Sequence, residues 1–170
     1  MLNSDKYDWD RFCAGDQSGL ERIYQRHKTK IMTYCFFVTG DQMQSEDIVQ
    51  ETFSALLKQS GNSKQLRSIK NWLFICARNF ALNYVKQQTK ISYSEALLEQ
   101  SVLPNMEIKL FLNNVLANLS DDERDLVLMR EQSGFSIREI AEILDTPEGN
   151  VRIRLYRARK KMQQIVKGEI

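Results

Sequence analysis

The sequence predicts an all-α protein of two small helical domains joined by a flexible linker, the second domain a helix-turn-helix. Three observations carry that expectation. Only seven Gly and two Pro occur in 170 residues, too few breakers for the hairpins and tight turns of a β fold. Apolar residues recur at three- and four-residue steps over most of the chain, the period of a helix buried along one side. Between the periodic segments stand patterns that start helices, including two Ser-x-x-Glu boxes at Ser120 with Glu123 and Ser136 with Glu139, where each side chain can meet the other residue's backbone N–H.

Taken in order, Phe12, Leu20, Ile23, Tyr24, Ile31 and Tyr34 follow the helical step between Trp9 and Thr39, and Asp16 or Ser18 can cap the helix that starts near Leu20. Gly40-Asp41 interrupts. Ser45 to Lys58 is the next helix, with Val49, Phe53, Leu56 and Leu57 on its apolar face and Asp47, Gln50, Glu51, Ser54 and Lys58 on the other. Gln59 to Arg67 is a polar loop. A long helix then spans about Ile69 to Gln88; the helical spacing of Trp72, Phe74 and Phe80 favours core positions over base-stacking platforms. Residues 89 to 104, weakly periodic and ending in Pro104, form the linker between domains 5–88 and 105–167, with a short helical turn near Ser94 to Glu99. Asn105 caps a helix over Met106 to Asn118. Ser120 opens a helix to about Gln132, which Gly134 closes. Ser136 opens a short helix with Ile137, Ile140, Ala141 and Leu144 on one face, broken by Asp145-Thr146. Thr146 can cap the last helix, with Pro147 at its first position, where a missing N–H costs nothing. Val151, Leu155, Ala158 and Met162 are its inward stripe.

Charge narrows the function. Twenty-four Lys and Arg against 22 Asp and Glu leave a formal net charge of only +2, yet the signs are segregated. Asp41 to Glu51 holds four acids and no base. Thr52 to Ser94 holds no acid and seven bases, and Gly149 to Gly168 again holds seven bases and no acid. Two separate basic blocks in a weakly charged chain suit a polyanion better than mere solubility. No apolar run approaches the ~20 residues of a membrane span, and the acidic start MLNSDKYDWD has no signal-peptide pattern, so a soluble intracellular protein without direct membrane insertion is expected. Cys13, Cys35 and Cys76 are widely spaced and are expected as buried reduced thiols. The single histidine, His27, lies in the polar stretch QRHKTK and is expected at the surface. These residues cannot make a four-ligand zinc site, and no nucleophile signature is present, so no catalytic residue, metal, cofactor or small-molecule substrate is expected.

The last two helices form a helix-turn-helix pattern whose second member is long and basic. Opposite its apolar stripe point Ile153, Tyr156, Arg157 and Lys160, flanked by Arg152, Arg154, Arg159 and Lys161. A major groove admits such a helix, outward residues reaching base edges and flanking cations holding phosphates. An ordinary basic surface helix is the plainer alternative, which the agreement of caps, turn and charge disfavours. Ile153 is either a stray surface hydrophobe or a contact to a thymine methyl.

The segment GFSIREIAEILDTPEGNVRIRLYRARKKM closely resembles the helix-turn-helix of extracytoplasmic-function sigma factors, whose pattern is S-x-x-E-I-A-x-x-L…P-x-G-T-V-x-x-R-L-x-R-A-R. FCAGDQSGLERIYQRHKTKIMTYC, SEDIVQETFSALLK and NWLFICARNFALNYVKQQ are similar, in the same order, to that family's other domain. The resemblance implies a first domain that binds core RNA polymerase and the minus-ten promoter element, and a second that binds the minus-thirty-five element. It places polymerase contacts at Asp47, Gln50 and Glu51, within the family's D-x-V-Q-E pattern, where two carboxylates and an amide suit arginine forks. It places minus-ten contacts at Lys70, Trp72, Arg78, Asn79, Asn83 and Lys86, with Asn83 standing for the usual aspartate and Lys86 for the usual arginine. The loop Ser60 to Ser68 lacks the common F-x-G pattern. Minus-thirty-five contacts fall on Arg130, Asn150, Arg152, Ile153, Arg154, Tyr156, Arg157, Arg159 and Lys160, with Asn150 where threonine is common and Ile153 where a small polar residue often sits. An anti-sigma factor is a further implied partner. Two other functions stay open on the sequence: a one-component regulator with a helical sensor, which would form a homodimer on a palindromic operator, and a helical adaptor that binds proteins only. The adaptor leaves the basic run after Gly149 unexplained.

Overall fold

A computed structural model describes residues 4–60, 66–91, 111 and 114–168. Every regular element among them is helical, and the chain divides into two compact units, Met1–Ser92 and Tyr93–Ile170. None of the described helices is long and apolar enough to cross a membrane. The expected linker lies outside the described residues apart from 89–91, and so does the short helical turn near Ser94 to Glu99. The helix expected over Met106 to Asn118 is described only at 111 and 114–118; of these 111 and 114–117 are helical and Asn118 is already in the turn that follows.

The first unit packs four helices: α1 (Ser4–Cys13), α2 (Ser18–Thr39), α3 (Gln42–Leu57) and α4 (Ile69–Ile91). The periodic stretch after Trp9 is therefore split at Ala14–Gln17. α2 starts at Ser18, two residues before the expected Leu20, with Gln17 rather than Asp16 or Ser18 at the cap position and no side-chain cap there. Asp16 Oδ1 instead accepts from Ser18 N at 3.0 Å and Ser18 Oγ at 2.6 Å within the turn. Gly19 lets α1 and α2 close, because a Cβ there would lie 2.2 Å from the Asp8 carbonyl oxygen. Gly40 ends α2 at φ 70°, its N–H donating to Phe36 O, the left-handed cap that glycine adopts without steric cost. Asp41 then caps α3 by accepting from Gln44 N at 3.0 Å, so α3 begins at Gln42, three residues before the expected Ser45. Its buried face is Ser45, Ile48, Val49, Thr52, Phe53 and Leu56; Leu57, expected there, is exposed. Ser68 opens α4, its Oγ accepting from Asn71 N and its carbonyl from Trp72 N. Ile23, Tyr34, Ile48, Leu56, Leu73 and Ala77 form the core, with Phe74 against Tyr34 at 4.6 Å between ring centroids.

α1 is held by a polar contact as well as by Trp9, which is buried. Asp5 and Asp8 are both buried and face α2, where Asp5 bonds to Arg26 and to His27 Nε2 (2.8 Å) and Asp8 to Arg22 Nε (2.7 Å) and Arg26 Nη2 (2.6 Å). His27 is thus a partner of a buried carboxylate, not the surface residue its polar neighbours imply. Burial pushes both carboxyls up, but the hydrogen bonds and charges of His27 and Arg26 at Asp5, and of Arg26 and Arg22 at Asp8, outweigh it and hold both below the ordinary value. Such groups stabilise fully above the unfolded carboxylate value of ~3.9 and lose that contribution as pH falls through their depressed folded values. The first unit is expected to lose stability below about pH 4, and Asp5→Asn with Asp8→Asn to flatten that acid limb, as read by thermal unfolding over an acid pH series. Of the cysteines, Cys35 is buried, Cys76 half-buried and Cys13 exposed, so the expectation of buried thiols fails at Cys13, which sits at the end of α1. Burial pushes the Cys35 thiol up to about 12.

The second unit contains α5 (Asp121–Val127), continued by a π-helical turn (Leu128–Gln132), then α6 (Ile137–Ile143) and α7 (Glu148–Val166). Both Ser-x-x-Glu boxes form: Ser120 with Glu123 and Ser136 with Glu139 exchange side-chain and backbone bonds. Leu126, Met129, Phe135, Ile140, Val151, Leu155 and Ala158 are buried together. Gly134 follows the π turn at φ 71°.

Candidate nucleic-acid interface

The geometry of the second unit is set by its turn. α6 stops at Ile143, Asp145 takes φ 48°, and Thr146 N donates back to Ala141 O at 3.0 Å. Pro147 is extended and stands before the helix, and α7 starts at Glu148 without a side-chain cap. Thr146 is therefore not the cap and Pro147 not the first helical residue. The physical reason is that the first carbonyl of the helical ladder is that of Pro147, which receives Asn150 N and Val151 N, so the extended Pro147 itself holds the cap position one residue after Thr146. The Ser136 box fixes where α6, and hence the turn, begins. Ser136→Ala is expected to cost the second unit about 1 kcal/mol, measured as a lowered denaturation midpoint.

Val151, Leu155 and Ala158 turn inward, with Met162 half-buried behind them. The opposite face is open: Ile153 is 53% exposed and Tyr156 67%, and Asn150, Arg157 and Lys160 are exposed. Ile153, Tyr156, Arg157 and Lys160 have no side-chain hydrogen bond or ion pair among the described residues. The flanking cations are held differently. Arg152 pairs with Glu148 (3.2 Å), Arg154 with Asp122 (3.0 Å) and Lys161 with Glu123 (3.5 Å), while Arg159 Nε donates to Glu131 Oε1 at 3.0 Å. Arg130 Nη1 donates to Phe135 O at 2.8 Å, which ties it to the backbone behind the π turn. The site residues expected on α7 are therefore gathered on one helix, but sorted into an unpartnered central strip and carboxylate-held flanks. Nothing in the local sequence marks Asp122, Glu123 or Glu131 as a partner of α7. Glu148 with Arg152 is legible at i, i+4, whereas Arg154 meets Asp122 across 32 positions and leaves no local signal.

In the first unit, Trp72, Asn79, Asn83 and Lys86 lie on one stripe of α4 by steps of seven, four and three. Asn79, Asn83 and Lys86 are exposed and Trp72 half-buried. Lys70 and Arg78, both half-buried, fall off that stripe. Phe74 is core and Phe80 half-buried. On α3, Asp47, Gln50 and Glu51 are exposed together, without side-chain partners among the described residues, while Val49 between them is buried. Asp41 joins the two helices, accepting from Tyr84 Oη at 3.4 Å.

Residues 23–91 match the family described as Sigma-70 region 2, and residues 112–162 match Sigma-70, region 4. Curated relatives include the ECF RNA polymerase sigma factor SigM of Bacillus subtilis, 27% identical over 154 residues with 86% of this chain and 94% of that one covered. SigW of the same organism is 24% identical over 168 residues, covering 88% and 90%. The ECF RNA polymerase sigma-E factor of Haemophilus influenzae is 24% identical over 173 residues, covering 91% and 90%. Two solved structures share the fold. CnrH in complex with the cytosolic domain of CnrY gives a TM-score of 0.79 at 18% identity, covering 99% of this chain and 100% of that one. The sigma factor RpoE with the anti-sigma factor NepR from Bartonella quintana gives 0.70 at 19%, covering 86% and 96%.

Proposed function

The chain belongs to the sigma-70 family as an extracytoplasmic-function member, and on that footing we propose that it is a promoter-specificity subunit that brings core RNA polymerase to start sites bearing minus-ten and minus-thirty-five elements. It performs no catalytic step of its own, takes no cofactor, and acts in the cytoplasm beside the polymerase and the chromosome. The α3 strip of Asp47, Gln50 and Glu51 meets arginine-bearing helices of the polymerase. The α4 stripe of Trp72, Asn79, Asn83 and Lys86, with Lys70 and Arg78 beside it, meets the minus-ten element as it opens, where unpaired bases need apolar surfaces and the backbone a cationic track. α7 enters the major groove of the minus-thirty-five element: Arg157 addresses a base edge, Ile153, Tyr156, Asn150 and Lys160 surround it, and Arg152, Arg154 and Arg159 reach phosphates. Arg130, anchored on the Phe135 carbonyl, contacts the same element. An anti-sigma factor holds the chain inactive by covering such faces, in keeping with the similar RpoE, whose structure is a complex with the anti-sigma factor NepR.

One observation carries this function: the basic helix-turn-helix shares a chain with a region 2 unit that presents an unpaired acidic strip. A one-component regulator has no use for that strip. The test is binding of purified full-length chain to promoter duplex, alone and with core polymerase. A salt-stable complex is expected only with polymerase present. A complex of two chains on a symmetric duplex without polymerase would overturn the proposal.

A further inference from the structure

We propose that Ile153 is a specificity-determining residue that packs on the methyl group of one thymine in the minus-thirty-five element. The inference rests on the DNA-reading role given to α7 and names what one position of that face recognises. Ile153 is 53% exposed in the middle of the helix, between Val151 and Leu155, which are buried; the other exposed aliphatic side chain of α7, Val166, stands at its last residue. Its side chain stays open among the described residues of the second unit. A branched apolar side chain in water gains nothing from that exposure, and this one sits between Arg152 and Arg154, one turn before Arg157.

The neighbours settle what can cover it. The exposed cations around it, Arg152, Arg157 and Lys160, with Arg154 half-buried beside them, make a protein or lipid apolar surface a poor occupant and a polyanion a good one. Arg152, Arg154 and Arg159 lean to the flanks, towards Glu148, Asp122 and Glu131, which leaves the central strip of Ile153, Tyr156, Arg157 and Lys160 as the part that faces base edges. In the major groove the one apolar feature at a base edge is the C5-methyl of thymine. Four residues along a helix advance about 6 Å, close to two base-pair rises of about 3.4 Å. The thymine therefore lies within about two base pairs of the base that Arg157 reads.

The probe is a minus-thirty-five duplex enriched from random sequence by core polymerase carrying the full-length wild-type chain. Each thymine is replaced in turn by deoxyuridine, which removes only the methyl group. For the wild-type holoenzyme one replacement, near the Arg157 base, is expected to weaken binding about fourfold, the factor that burying one methyl group supplies. With Ile153→Ser, an exposed position whose change leaves the fold intact, that sensitivity disappears while base discrimination through Arg157 persists. Indifference of the wild-type holoenzyme to every replacement, or equal sensitivity in Ile153→Ser, would overturn the inference and leave the sigma function standing. Failure of the wild-type holoenzyme to enrich any sequence would overturn that function, and the inference with it.

Discussion

Replacing Asp47 and Glu51 together by Arg is expected to weaken binding to core RNA polymerase by about 2–5 kcal/mol, with the weak, low-salt binding of the free chain to a minus-thirty-five duplex unchanged. Both carboxylates project from the exposed side of α3, while Ile48, Val49, Thr52 and Phe53 on the other side are in the core. Neither has a side-chain partner among the described residues, so their replacement breaks no internal pair and the fold is spared. A carboxylate without a partner is free to accept a bidentate guanidinium, and Gln50 between them adds an amide to the same surface. Reversal turns each attraction into a repulsion at a desolvated contact, where a lost partner also leaves the opposite charge buried. Titration of labelled chain with core polymerase measures the effect. Unchanged affinity would remove α3 from the polymerase interface. Unchanged duplex binding separates this effect from any damage to the second unit.

Arg157→Ala carries the second large effect, a loss of about 1–3 kcal/mol on the minus-thirty-five element with relaxed preference at one base. Its guanidinium is exposed and unpaired among the described residues, unlike Arg154 and Arg159, which are occupied by Asp122 and Glu131. An unpaired guanidinium reaches a base edge without first leaving a carboxylate, and two parallel bonds to guanine O6 and N7 discriminate that base from the others. Competition binding against duplexes changed one base pair at a time is the check. A uniform loss on all sequences would assign Arg157 to the phosphates instead.

The local rules were legible in the residues themselves. The boxes at Ser120 and Ser136 form because each needs only residues three apart, and the inward stripe of α7 follows from spacing alone. What was not legible depends on partners distant in sequence. Asp5 and Asp8 look like solvent-facing acids until α2 brings Arg22, Arg26 and His27 to them from 14 to 22 positions away, which also explains why His27 is not a surface residue. The start of α7 lies one residue later than residue type implies: Thr146 and Pro147 suit a cap and a first turn, whereas the turn leaves Pro147 extended and its carbonyl opens the helical ladder. Within the site, the outward direction of Ile153, Tyr156 and Arg157 came from the helical period. The division between an unpartnered strip and carboxylate-held flanks came from α5 and its π turn packing beside α7. Arg130 illustrates the same limit, since the Phe135 carbonyl it serves lies in a turn that periodicity does not describe.

The central claim is that this chain gives RNA polymerase its choice of start site, and transcription in vitro from a promoter library, with core polymerase and the purified chain, tests it most directly. The expected result is transcripts from a restricted set of templates sharing two spaced elements, absent without the chain and lost with the Asp47→Arg, Glu51→Arg double variant. Start sites identical with and without the chain would contradict it.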